Sequence, residues 1–209
     1  MFKRKITAAL ERWKANSHGR TALLVEGPYG VGKTTVVTEF ARRAYRRCIL
    51  IDFADCPKSI RRLFDDTRDL DFFFLQLQTL TGVTLETRNS VIIFDAVECC
   101  PRARQAIKHL VADGRYDYLE TGSFVAIPQN VRDILIPSEE ASVQMHPMDF
   151  EEFLWAVDYQ VGAQVLREFS VKLLSAAPLH HIFMQYFHLY MLVGGMPQAV
   201  ATYLAENNF

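Results

Sequence analysis

Residues 22–35 read ALLVEGPYGVGKTT, and this stretch decides the fold. Ala22, Leu23, Leu24 and Val25 form an unbroken apolar run, the pattern of a short strand buried on both faces. Glu26 and Gly27 close it. The next residues, Gly27-Pro28-Tyr29-Gly30-Val31-Gly32-Lys33-Thr34, fit the spacing GxxxxGK[ST] in full, and Thr35 follows. From Lys33 onward Val36, Val37, Phe40, Ala41 and Ala44 recur on one side of a helix. A strand, a glycine loop and a helix in that order make a phosphate cradle. Glycines let backbone N–H groups turn inward, and the helix adds the positive end of its dipole. A lysine at position 33 reaches phosphate oxygens as a point charge, and a hydroxyl at position 34 suits a magnesium ion.

The same alternation continues outward. Cys48–Ile51 reads as a second strand closed by Asp52, and Val91–Phe94 as a third closed by Asp95. Tyr116–Glu120 reads as a fourth, followed by Thr121-Gly122-Ser123, and Ser142–Met145 as a fifth. Helical patterns separate them: Lys33–Arg47, most of 57–82, and a helix from Pro101 to about Ala112. This alternation predicts an α/β fold in three layers, a parallel five-stranded sheet between helices. Asp149 with Glu152 forms a capping box that opens a helix over Phe150–Val157. Beyond it everything reads as helical, with breaks near Pro178 and at Gly194-Gly195-Met196-Pro197. The organisation expected is an amphipathic amino-terminal helix over 1–15, a phosphate-binding domain over 16–148, and a helical, lid-like or incomplete carboxy-terminal unit over 149–209.

Composition narrows the function. Of 209 residues, 50% are hydrophobic and 22% charged, with 23 Lys and Arg against 24 Asp and Glu. A net charge of −1 leaves no global field for nucleic acid or anionic lipid, so any polyanion site must be local. The four cysteines lack CxxC spacing, and no HExxH is present, which argues against zinc and for reduced thiols. Phe2, Ile6, Leu10 and Trp13 are spaced as an amphipathic helix with Lys3, Arg4 and Lys5 between them, not as a secretory signal. The expectation is a cytoplasmic protein without a membrane segment. Arg42, Arg43, Arg46 and Arg47 at the end of the helix after the loop, with Arg61, Arg62 and Arg68, read as a solvated face. A nucleic-acid patch is the weaker reading of them. Of Phe72, Phe73 and Phe74, not all can point inward from one helix.

The loop, Phe94-Asp95, Glu98 to Pro101, Thr121-Gly122-Ser123, the segment PMDFEEFL at 147–154 and Gly194-Gly195-Met196-Pro197 recur in that order. Together they resemble the AAA-superfamily P-loop ATPases of bacteria and archaea that carry a domain of unknown function after the ATPase module. The resemblance spans about residues 2–205, and the chain is expected to stop just inside that further region. It implies ATP and Mg²⁺ as ligands, with Gly27 to Thr35 around the phosphates and Thr34 and Asp95 holding the metal shell. It implies Lys33 and Asp95 as catalytic groups and Ser123 or Thr121 as the polar residue that feels the γ-phosphate. A protein partner or self-association is expected. Two departures stand out. The family pattern Asp-Glu is Asp95-Ala96 here, and alanine cannot polarise water. Glu98, two residues on, or Glu26 is left to stand in, Glu98 only if the strand ends early and the chain turns back. No Arg or Lys occurs in 138–146, near the fifth strand, where relatives carry an arginine. Two activities therefore remain open: Mg²⁺-dependent ATP hydrolysis, slowed by Ala96, or an ATP-gated interaction module with little turnover.

Overall fold

The structure is a computed structural model and describes residues 1–123, 140–172 and 179–206. Its contacts divide the chain into two compact units. The larger comprises Ile6–Tyr29 and Lys33–Met145; the smaller comprises Met1–Lys5, Gly30–Gly32 and His146–Phe209.

The larger unit carries five strands: β1 (Ala22–Glu26), β2 (Arg47–Asp52), β3 (Ser90–Asp95), β4 (Asp117–Gly122) and β5 (Glu140–Gln144). They lie in the order β2-β3-β4-β1-β5, and every pairing is parallel. β1 is therefore flanked on both sides, with Leu24 opposite Glu120 on β4 and Ser142 on β5. Among the described residues the crossovers carry helices, the usual way for parallel strands to connect. They are α2 (Lys33–Ala44), α3 (Lys58–Leu63), α4 (Leu70–Thr81) and α5 (Pro101–Asp113), with α1 (Ile6–Ser17) before the sheet. Asp69 caps α4 by accepting from the Phe72 N–H at 3.0 Å, and Pro101 opens α5 at a position where no N–H is missed.

The core between β2, β3, α3, α4 and α5 is aromatic. Phe64 meets Phe73 at 5.3 Å and Phe94 at 5.4 Å, and Phe74 meets Tyr116 at 4.9 Å, all edge to face. Of the three adjacent rings, Phe73 and Phe74 are buried and Phe72 is 56% exposed, as a 100° step per residue demands.

Several boundaries differ from those the sequence suggests, among them β5, which runs over Glu140–Gln144 instead of Ser142–Met145. The helix after the glycine loop ends at Ala44, so Arg47 opens β2 instead of extending a helical face. β4 runs on through Thr121 and Gly122, whose polar character hides a fully buried strand end. The amino-terminal helix starts at Ile6, not at the first residues. Phe2 packs with Met148, Phe153 and Val200, and Arg4 is buried, so tertiary burial overrides the helical spacing there. The expected break near Pro178 lies outside the described residues.

The smaller unit contains α6 (Phe150–Ala156), α7 (Gln160–Lys172), α8 (His180–Val193) and α9 (Pro197–Glu206). The capping box is complete: Asp149 accepts from the Glu152 N–H at 2.9 Å, and Glu152 accepts from the Asp149 N–H at 3.3 Å. Met148 is bound from two directions, its N–H donating to Gly195 O at 2.7 Å and its O accepting from the Tyr190 hydroxyl at 2.8 Å. A Cβ on Gly195 would stand 2.2 Å from that Met148 oxygen. Only glycine fits so close to another backbone. Arg4 also belongs to this unit. It donates to Val31 O at 2.8 Å and His146 O at 2.6 Å, and pairs with Glu152 at 3.3 Å.

Candidate functional site

The site is built at the carboxy-terminal end of the sheet, where β1, β3 and β4 stop side by side. Gly27 extends the ladder by one bond, its N–H donating to Gly122 O at 3.2 Å. The chain then leaves the sheet as a loop with Gly30 at φ 79° and Gly32 at φ 91°, values that disfavour any side chain. α2 begins at Lys33, and its first N–H groups have no intrahelical partner. The Lys33 ammonium spans the loop, donating to Gly27 O and Pro28 O at 2.9 Å each. Burial lowers its pKa, and the nearby carboxylates of Glu98 and Asp95 pull it back up. Pro28, Tyr29 and Thr35 are exposed, and Val31 is buried.

Asp95 gathers two hydroxyls. Thr34 donates to its two oxygens at 2.8 and 3.0 Å, and Thr121 donates to Oδ1. Thr121 in turn accepts from the Ala96 N–H at 3.2 Å. The trio of half-buried Thr34 and buried Asp95 and Thr121 joins residues from α2, β3 and β4. Sequence reading brings Thr34 and Asp95 to one site, but the bond between Thr121 and Asp95 depends on β3 lying next to β4, which no local pattern encodes.

Past Asp95 the chain does something unusual. Ala96 sits in the left-handed region at φ 52° and ψ 51°, followed by a single 3₁₀ turn over Val97–Cys99. This reverses the chain, so that Glu98 Oε1 accepts from the Ser123 N–H at 3.2 Å. Glu98 and Ser123, both half-buried, thus meet at the tips of β3 and β4. Glu26 ends β1, and its O accepts from the Met145 N–H at 2.7 Å. The expectation about an arginine near the fifth strand concerns 138–146, of which 138 and 139 lie outside the described residues.

The donor set fits a nucleotide with magnesium. One carboxylate and one hydroxyl are hard oxygen donors of the kind Mg²⁺ takes while keeping several waters. Among the described residues no cluster of three His, Cys, Asp or Glu could cage a metal alone. The loop amides and the start of α2 suit the phosphates.

The arginines read as a basic face are largely engaged. Arg43 pairs with Glu11 at 3.3 Å, Arg46 and Arg47 with Glu86 at 3.6 and 3.5 Å, and Arg68 with Asp66 at 2.6 Å. Arg61 donates to the carbonyls of Phe53 and Cys99. Among the described residues no helix is long and apolar enough to cross a membrane.

The fold is shared with known structures. A Walker-type ATPase of Pyrococcus abyssi superposes with a TM-score of 0.54 at 16% identity, covering 100% of this chain and 69% of that one. A chain of Drosophila ORC bound to DNA gives 0.55 at 14% identity, covering 95% of this chain and 58% of that one. No curated protein matches the sequence. A family model described as an AAA domain matches residues 19–154, well over half of the chain, which therefore belongs to the AAA-type P-loop ATPases.

Proposed function

We propose that the chain binds ATP with Mg²⁺ and hydrolyses it, with Glu98 as the base that positions water. The observation that carries this reading is the left-handed turn at Ala96, which brings the Glu98 carboxylate back toward the ends of β3 and β4. In this reading the loop amides and Lys33 hold the phosphates, and Thr34 and Asp95 hold the metal shell, Asp95 through water. Magnesium, when bound there, would supply neutralisation of the phosphate charge. Glu98 accepts a proton as the water oxygen bonds to the γ-phosphorus and the bond to the β–γ bridging oxygen breaks. Thr121 orients Asp95, and Ser123 stands at the tip of β4, where the γ-phosphate would be felt. Residues 16–148 serve as the ATP-binding module and 149–209 as a lid-like unit.

A second reading is favoured by Ala96 itself, which places no carboxylate directly after Asp95. The chain would then bind ATP, turn over little, and signal to a protein partner or a second copy. Single-turnover hydrolysis separates the two. If Glu98 is the base, Glu98→Gln lowers the rate by about 10²–10⁴ with ATP affinity unchanged. If wild type binds ATP without turnover and Ala96→Glu confers it, the switch is correct. Wild-type turnover that survives Glu98→Gln rules out the assigned base. A nucleic-acid role rests only on the arginines, of which Arg43, Arg46, Arg47, Arg61 and Arg68 have acidic or carbonyl partners within the chain.

A further inference from the structure

Arg4 is 6% exposed. A charge so buried persists only when it is neutralised and hydrogen-bonded. Glu152 supplies the neutralisation at 3.3 Å. The capping box of Glu152 with Asp149 is complete without an arginine, and Glu152 also accepts from the Lys5 N–H at 2.6 Å. The cap therefore does not explain the bond from Arg4 Nη1 to Val31 O at 2.8 Å.

Val31 lies between Gly30 and Gly32, both at positive φ. The Val31–Gly32 peptide turns about Val31 ψ and Gly32 φ, and on its glycine side it meets little steric resistance. In a trans peptide the C=O of one residue and the N–H of the next point in opposite directions. Holding the Val31 carbonyl on Arg4 therefore turns the Gly32 N–H away from Arg4 and keeps it there. A charged donor on the carbonyl also polarises the peptide and strengthens its N–H as a donor.

We propose that Arg4 is a positioning residue for phosphate binding: it locks the Val31–Gly32 peptide so that the Gly32 N–H faces the bound phosphate. Its second bond, to His146 O at 2.6 Å, fixes the guanidinium plane that makes this aim definite. The inference rests on the reading that the loop binds a nucleoside triphosphate.

The test uses the full chain, MgATP as probe, and the double variant Arg4→Met with Glu152→Gln. The pair leaves no buried charge alone, and glutamine keeps a capping box. Wild type is expected to bind MgATP and to move the Gly32 amide resonance downfield. The double variant is expected to bind about tenfold more weakly, the worth of one good hydrogen bond, with the Gly32 shift lost. The Leu24 amide, in the central strand, reports that the fold is kept. If wild type binds no MgATP, the nucleotide reading fails and takes this inference with it. If wild type binds and the folded double variant matches its affinity, Arg4 does not position the loop. A weaker complex that still shows the full Gly32 shift also overturns the proposal. Should the double variant not fold, Arg4→Lys decides by the same two readouts. A lysine reaches one carbonyl, so an affinity loss of about threefold or more with a reduced shift is expected, and wild-type values refute it.

Discussion

Replacing Glu120 with glutamine should make this protein more stable as pH rises, relative to wild type. Glu120 is 0% exposed on β4, and neither carboxyl oxygen has a hydrogen-bond partner among the described residues. Its neighbours are Glu140 on β5 and Arg104 on α5, which pair with each other at 2.8 and 3.2 Å. Burial raises the Glu120 pKa well above the ordinary 4.5, the Glu140 charge adds to the rise, and Arg104 offsets part of it. Burial raises Glu140 as well. The folded chain therefore holds a proton on this cluster that the unfolded chain releases near pH 4.5. The stability linked to that proton is fully present below pH 4.5 and is lost as pH climbs toward the folded value. Linkage sets the loss at about 1.4 kcal/mol per pH unit within that window. Glutamine cannot titrate, so the gap between variant and wild type should widen at this rate. The buried amide costs a constant about 1–3 kcal/mol, so the variant begins level with or below wild type at pH 5 and overtakes it. Urea unfolding of both proteins from pH 5 to 8 measures the gap. A difference that stays flat across this range would refute the argument that Glu120 is buried as the neutral acid.

Lys33→Ala should weaken MgATP binding about tenfold to hundredfold in calorimetry, because it removes the only side-chain charge the loop itself offers. Phe73→Ala should cost about 3–5 kcal/mol in chemical denaturation, whereas Phe72→Ala, one residue earlier but exposed, should stay within about 0.5 kcal/mol. Equal losses from the two would contradict the packing described. Gly195→Ala should lower the melting temperature through a loss of about 1–3 kcal/mol, since its Cβ meets the Met148 backbone oxygen at 2.2 Å; an unchanged value would mean that contact relaxes freely.

Much of the sheet is legible in the sequence because parallel strands are buried on both faces. The apolar runs before Glu26 and Asp95 admit few other readings. β5 is harder to bound, since it begins at Glu140, a charged residue buried against Arg104. The first five residues mislead because Phe2 falls in step with Ile6 and Leu10, while its burial is decided by residues near 148–200. At the site, the spacing of Lys33 and Thr34 carries its own chemistry. The bond from Thr121 to Asp95 depends on strand order, and the left-handed turn at Ala96 has no residue signature. Arg4 looks like any basic residue near an amino terminus; only the acceptors gathered around it make it distinctive.

The order of strands also sets a schedule. β1 leaves the ribosome before both its neighbours, β4 and β5, whose residues paired with it are 119–122 and 140–144. At ordinary synthesis rates of about 5–20 residues per second, roughly 120 further residues take some 6 to 24 seconds to appear. Until β4 emerges the apolar run Ala22–Val25 is a nascent strand with both edges open, and until β5 emerges one edge stays open. Newly made chains should therefore be most vulnerable to clumping, and most in need of chaperones, before β5 has emerged.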